Sequence, residues 1–229
     1  MADTATVVLV HGAWHGAWCW DKVVRALDDA GIPVVAIDLP FTSFADDVAA
    51  TRAAIDDIDT RVVLCGHSYG GAVITEAGNH PSVERLVYLT AFACDVGESV
   101  SATAVEENLP FTEITDALVF SDDGTSMTVE PTAAIKIFYD DCDRADADAA
   151  VARLRPVDLS CTLTPVALAA WKDKPATYVV CTEDKALHIE LQRFLAARCT
   201  RSVDLPTAHS PFLNRPDLVA ALLVEEARA

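Results

Sequence analysis

The stretch Arg61-Val62-Val63-Leu64-Cys65-Gly66-His67-Ser68-Tyr69-Gly70 decides how this chain folds. Five residues of strand character run into Gly-x-Ser-x-Gly, and an Ala/Val/Ile-rich helical stretch follows, which is the context in which that pentapeptide forms a nucleophile elbow. Such a turn holds its serine at strained dihedrals, and glycines two residues to either side let the strand and helix backbones pass without Cβ clashes. Ser68 is therefore the candidate nucleophile, with its hydroxyl exposed at the turn. Without those flanks the pentapeptide would be a common coincidence.

Outward from the elbow, short β-branched runs alternate with helical patterns. Residues 6–10, 34–37, 61–65, 85–89, 177–181 and 202–205 read as strands, mostly apolar on both faces, which is the pattern of a parallel sheet covered by helices. Between them, 18–30 stops at Gly31 with Pro33 beyond, 44–58 carries alanines and isoleucines at helical spacing, and 69–80 stops before Pro81. The expected fold class is α/β, with a mostly parallel, doubly wound sheet. From about 95 to 174 the alternation breaks, with helix-like pieces at 131–139 and 146–154 and a hairpin signal at Asp122-Asp123-Gly124-Thr125. We expect residues 1–94 and 175–229 to form the core of a single domain and 95–174 to form a small helical cap inserted in it. Loops at the carboxyl ends of strands are where such sheets bind ligands.

The 229 residues are 52% hydrophobic, enough for one sizeable core, and no Pro/Gly/Ser-rich linker divides them into balanced halves. Thirty-five acidic against 17 basic residues leave a formal net charge of −18, whose field repels phosphate backbones and anionic membranes. Neither nucleic acid nor a membrane is an expected partner. Seven cysteines without a Cys-x-x-Cys pair, two of them (Cys65 and Cys181) inside apolar runs, point away from a metal centre and a disulfide framework. The chain opens with Met1-Ala2-Asp3, enters a strand by Thr6, and has no apolar run near the roughly 18 residues of a membrane span, so we expect a cytoplasmic location. Oligomeric state has no signature here.

A serine hydroxyl is a poor nucleophile near neutral pH and needs a general base, which in turn needs a carboxylate to orient it. His209 lies in Thr207-Ala208-His209-Ser210-Pro211-Phe212 just after the 202–205 strand, and Asp184 lies in Cys181-Thr182-Glu183-Asp184 just after the 177–181 strand. Both fall at the carboxyl edge of the sheet. Asp95, beyond the 85–89 strand, and Glu183 stay open as rival acids. His67 and His80 read as structural, His188 as solvated, and His11 as holding the first loop with its ring turned from the substrate. A tetrahedral intermediate also needs two N–H donors; Tyr69, after the nucleophile, and Ala13, in the small-residue turn His11-Gly12-Ala13-Trp14, supply them. Gly12 and Trp14 flank the second donor and are expected at the substrate, while Trp18 and Trp20 pack beneath the loop. Phe138, Tyr139 and Trp171 are the cap's candidates for a small apolar pocket.

Val8-Leu9-Val10-His11-Gly12-Ala13-Trp14-His15-Gly16-Ala17-Trp18, Ala36-Ile37-Asp38-Leu39-Pro40, the Gly-His-Ser-Tyr-Gly elbow and His209-Ser210-Pro211-Phe212 resemble the α/β-hydrolase branch of plant salicylate methylesterases and hydroxynitrile lyases, with their bacterial esterase relatives. The likeness covers nearly the whole core but only fragments of the cap, such as Ile137-Phe138-Tyr139 and Leu154-Arg155-Pro156. The order Ser68, Asp184, His209 is that of α/β-hydrolases. Hydroxynitrile lyases of the branch carry Thr or Asn where this chain has Gly12, and the mandelonitrile-type plant enzymes commonly carry Lys where it has Ser210. Both departures imply ester hydrolysis, and Ser68 departs from the Asp nucleophile of haloalkane dehalogenases. The resemblance thus implies a cofactor-free serine carboxylesterase for a small-molecule ester. A hydroxynitrile lyase, a carbon–carbon bond hydrolase, a thioesterase and a non-catalytic small-ligand receptor are the alternatives it leaves.

Overall fold

The computed structural model describes residues 4–106, 110 and 112–229. Strands β1 (Thr6–Val10), β2 (Val34–Ile37), β3 (Val62–Ser68) and β4 (Val83–Ala91) alternate with helices α1 (Asp21–Asp29), α2 (Phe44–Asp56) and α3 (Gly70–Ala77). An excursion follows, carrying α4 (Val100–Glu106), α5 (Ile114–Ala117), β5 (Leu118–Phe120), β6 (Ser126–Val129), α6 (Pro131–Phe138), α7 (Arg144–Val151), β7 (Val157–Asp158) and α8 (Leu159–Leu163). The alternation resumes with β8 (Ala176–Cys181), α9 (Ile189–Ala196), β9 (Arg201–Leu205), α10 (Pro211–Asn214) and α11 (Pro216–Arg228).

The six long-range strands form one sheet in the order β2-β1-β3-β4-β8-β9, with every neighbouring pair parallel. β1, β3 and β8 are buried along their whole length, whereas the edge strands β2 and β9 expose part of theirs. That is why the central strands read as unbroken apolar runs. Side chains alternate across the sheet: Val87, Leu89 and Val179 face Val219, Leu222 and Leu223 of α11, and Leu86 faces the end of α3 at Gly78. The two helices therefore cover opposite faces. β1 leads to β2 on one side and β3 leads to β4 on the other, so their connections diverge and open a crevice at the carboxyl ends of β1 and β3.

Two local departures from the sequence expectation have simple causes. The first helix opens as a 3₁₀ turn, Ala17–Trp20, because the Ala17 N–H is drawn to Asp38 Oδ1 (2.7 Å) and Cys19 N–H to the Gly16 carbonyl. The excursion is not purely helical: β5, β6 and β7 make a three-stranded antiparallel sheet, with the expected hairpin turn closed by Gly124 at φ +70°. β7 has only two residues, too few to carry a periodic signal. Among the described residues no helix is long and apolar enough to cross a membrane.

Candidate active site

Ser68 ends β3 at φ +51°, the left-handed region that non-glycine residues seldom occupy. The close approach around it is literal. A Cβ on Gly66 would lie 2.5 Å from the Gly70 carbonyl oxygen, and one on Gly70 would lie 2.6 Å from that of His11. Both glycines are thus required for β3 to turn into α3 beside β1. Tyr69 follows as the first αR residue, at the positive end of α3.

The loop after β9 brings His209 to this edge. Its Nδ1 lies 2.7 Å from Asp184 Oδ2, and both side chains are buried, at 2% and 0% exposure. Asp184 is held in turn: Oδ1 accepts the Ala186 and Leu187 N–H groups at 2.6 and 2.9 Å, and Oδ2 accepts the hydroxyl of Thr90, whose backbone has φ +39°. A carboxylate fixed by three donors orients the imidazole it faces without itself needing to move. Of the rival acids, Asp95 pairs with Lys172 and Glu183 is exposed; neither meets His209.

Two buried imidazoles hold the loop after β1. His11 donates from Nδ1 to the Gly12 carbonyl (2.9 Å) and accepts Leu39 N–H at Nε2 (3.0 Å). His15 donates from Nδ1 to the Ala13 carbonyl (2.8 Å) and accepts the Tyr139 hydroxyl at Nε2 (2.8 Å). Each of these arrangements requires a neutral ring, and burial lowers the pKa of His11 to about 4 and of His15 to about 3. His67, also kept neutral by burial, packs its ring 4.5 Å from that of His209. Gly12 faces His67 and Ser68: a Cβ there would lie 2.7 Å from His67 Nδ1 and 2.9 Å from Ser68 Cβ.

A cavity of about 310 Å³ opens over Ser68, lined also by Ala13, Trp14, Tyr69, Leu118 and Met127. None of its described lining residues is charged. The structure corrects the cap's expected contribution. Phe138 is buried behind the wall, 5.8 Å from the Trp14 ring and 5.6 Å from that of His209. Tyr139 spends its hydroxyl on His15, and Trp171 donates its Nε1 to the Cys94 carbonyl. None of the three lines the cavity, nor does Gly12. Helical spacing marks an apolar side chain as inward-facing without telling whether protein or cavity meets it. The actual wall comes from β5, β6 and the segment before them. Trp14, expected at the substrate, lines the cavity, at φ +65° with its Nε1 bonded to the Met127 carbonyl.

Two buried groups have no counterpart in the sequence reading: Thr90, described above, and Asp47. Asp47 sits on the buried stripe Phe44, Asp47, Val48, Thr51, Ile55 of α2, so an acid at a core-facing helical position was the signal that would have found it. Among the described residues no group of three or more His, Cys, Asp or Glu could hold a metal ion.

Comparison with known proteins agrees with this architecture. The chain matches the profile of the alpha/beta hydrolase family over residues 7–222. It is 30% identical to Methylesterase 1 of Arabidopsis thaliana over 91% of this chain and 90% of that protein, and 31% identical to Norfluorocurarine synthase 1 of Strychnos nux-vomica over 82% and 81%. Among solved structures, a pyrethroid hydrolase from Sphingobium faniae JZ-2 superposes with a TM-score of 0.86 (24% identity, 98% of each chain) and polyneuridine aldehyde esterase with 0.84 (23% identity, 98% and 99%). The elbow at the sheet edge, the parallel sheet and the family profile lead to one conclusion: this chain belongs to the α/β-hydrolase family and is an enzyme of that family.

Proposed function

We propose that the protein is a serine carboxylesterase acting on small, neutral, apolar carboxylic esters. The observation that carries this reading is the buried His209–Asp184 pair, 2.7 Å apart, at the same sheet edge as a serine that lines a cavity with no charged residue among its described lining. Ser68 Oγ bonds to the ester carbonyl carbon while His209 Nε2 takes its proton and the Ala13 and Tyr69 N–H groups receive the oxyanion. As the tetrahedral intermediate collapses, the carbon–oxygen bond to the alcohol breaks and His209 returns the proton to that oxygen. Water then attacks acyl-Ser68 by the same path, releasing the carboxylic acid and restoring the hydroxyl. No step calls for a cofactor.

The substrate class follows from the cavity and the field. Burying a charge in an apolar chamber without a partner is costly, and a net charge of −18 disfavours anions while helping a carboxylate product leave. The excursion over residues 95–174 acts as the cap that supplies much of the wall. Ester chemistry is the activity named for the methylesterase relative. Gly12 and Ser210 favour it over cyanohydrin cleavage: a side chain at 12 would strike Ser68, and Ser210 is fully buried, where a lysine ammonium would be stranded. Seven unpaired cysteines suit a reducing cytoplasm.

The test sets a short aryl ester, the matching thioester and mandelonitrile beside a serine-directed organophosphonate. Turnover of the ester with labelling at Ser68 is the expected result. Cyanide release from mandelonitrile without ester hydrolysis would make the protein a lyase, and binding without turnover of any of the three would make it a receptor.

A further inference from the structure

Helix α2 turns one carboxylate into the core, and the catalytic steps above make no use of it. Asp47 is fully buried. A carboxylate in that position is costly unless donors surround it, so its partners tell what it is for. Oδ2 accepts the hydroxyl of Tyr69 at 2.5 Å, and Oδ1 accepts the N–H of Phe41 at 2.9 Å. Phe41 has φ +60°, a conformation that the hydrogen bond to Asp47 helps to hold. Tyr69 is the residue after Ser68, and it lines the cavity.

The phenol ring of Tyr69 is a stiff connection between Asp47 and the elbow. Phe41 and Phe44 pack against it, with ring centroids 6.1 and 6.5 Å away. Burial, and then the Asp47 charge, push its pKa far up, so the hydroxyl stays a donor at any working pH. With the ring packed against Phe41 and Phe44 and the oxygen bonded to Asp47, Tyr69 Cα has little room to shift, and its backbone N–H keeps one direction.

We propose that Asp47 is a positioning residue: through the Tyr69 phenol it sets the direction of the Tyr69 N–H toward the oxyanion. The proposal rests on the serine esterase reading. Oxyanion stabilisation depends on donors about 2.7–3.1 Å from where the charge develops, and a misplacement of about 1 Å can cost about 10²-fold in rate. Uniform binding of the ester does not depend on that donor, so the effect belongs in kcat rather than KM.

The experiment compares Tyr69→Phe, Asp47→Ala and Asp47→Asn with wild type, with rates referred to the active sites titrated by organophosphonate and with the affinity of a trifluoromethyl ketone, which forms an oxyanion on the serine. Tyr69→Phe and Asp47→Ala should lower kcat per titrated site about 10-fold or more, leave KM within about twofold, and weaken the ketone by the same factor as kcat/KM. Asp47→Asn, which keeps an acceptor for Phe41 and a polar partner for Tyr69, should recover to within about threefold of wild type. Variants that melt earlier or titrate fewer sites, yet keep the wild-type rate per site and ketone affinity, would overturn the proposal. If Asp47→Ala does not fold, Tyr69→Phe, which removes only an oxygen, decides alone. A wild type that neither labels nor hydrolyses esters would instead bring down the esterase reading and this proposal with it.

Discussion

His67 Nε2 lies 2.8 Å from the backbone carbonyl oxygen of His209, 142 residues further along the chain. A carbonyl accepts only, so Nε2 carries the hydrogen, and the ring's other nitrogen, Nδ1, is a bare acceptor facing Gly12 with no partner among the described residues. The residue before the nucleophile thereby holds the loop of the base. Burial keeps the ring neutral, as it must be where Nδ1 has no acceptor to receive a second N–H.

That requirement makes stability depend on pH. His11, His15 and His67 all have folded pKa values below the roughly 6.5 of an unfolded imidazole, so between those values the unfolded chain binds more protons. Their contribution is complete above about pH 6.5 and is lost as pH falls toward about 4 for His11 and about 3 for His15. Asp47 runs the other way: burial raises its pKa, so its contribution is present at low pH and lost as pH rises through the raised value. Urea midpoints should therefore fall as pH drops from 7 to 5, and His15→Gln should flatten the slope by about one proton. A midpoint constant across that window would contradict the burial argument.

Ser68→Ala should lower ester kcat by about 10⁶, as comparable serine-enzyme knockouts do, and abolish organophosphonate labelling. Melting should be unchanged or slightly raised, since the change removes a hydroxyl and no buried contact. Labelling that persists in the variant would move the nucleophile elsewhere.

Asp184→Asn should lower kcat by about 10³ to 10⁴, because the imidazole would take the wrong tautomer. Asp95→Asn touches only the ion pair with Lys172 and should change kcat by less than about twofold. Thr90→Val removes one of the three donors on Asp184 and should cost about 1.5–3 kcal/mol of stability, read by urea unfolding. Reversed effects of the two aspartate variants would place the acid after β4.

The cavity wall predicts specificity. Leu118→Trp should fill space over Ser68 and lower kcat/KM for a bulky aryl ester at least about 10-fold, with the corresponding acetate ester changed by less than about threefold. Trp171→Phe lies outside the wall and should leave both values within about twofold. Equal losses on the two esters from Leu118→Trp would show that the chamber does not hold the acyl group.

What was legible in the sequence was what short-range stereochemistry writes there. Gly66 and Gly70 announce a turn because a Cβ at either would collide with backbone within the turn or on the neighbouring strand, and the strands read as apolar runs because both sheet faces are covered. Ser68, Asp184 and His209 could be listed because each stands at or just past the end of a strand, and parallel strands deliver their ends to one edge. The pairing of His209 with Asp184, the cavity behind Met127 and Leu118, and the burial of Asp47 against Tyr69 were decided only in three dimensions. Phe138, Tyr139 and Trp171 show the limit: composition marked them as inward-facing, but which of them meets a cavity depends on how segments more than a hundred residues apart pack. Periodicity fixes the direction of a side chain relative to its own backbone; what it touches is set by the chain that folds over it.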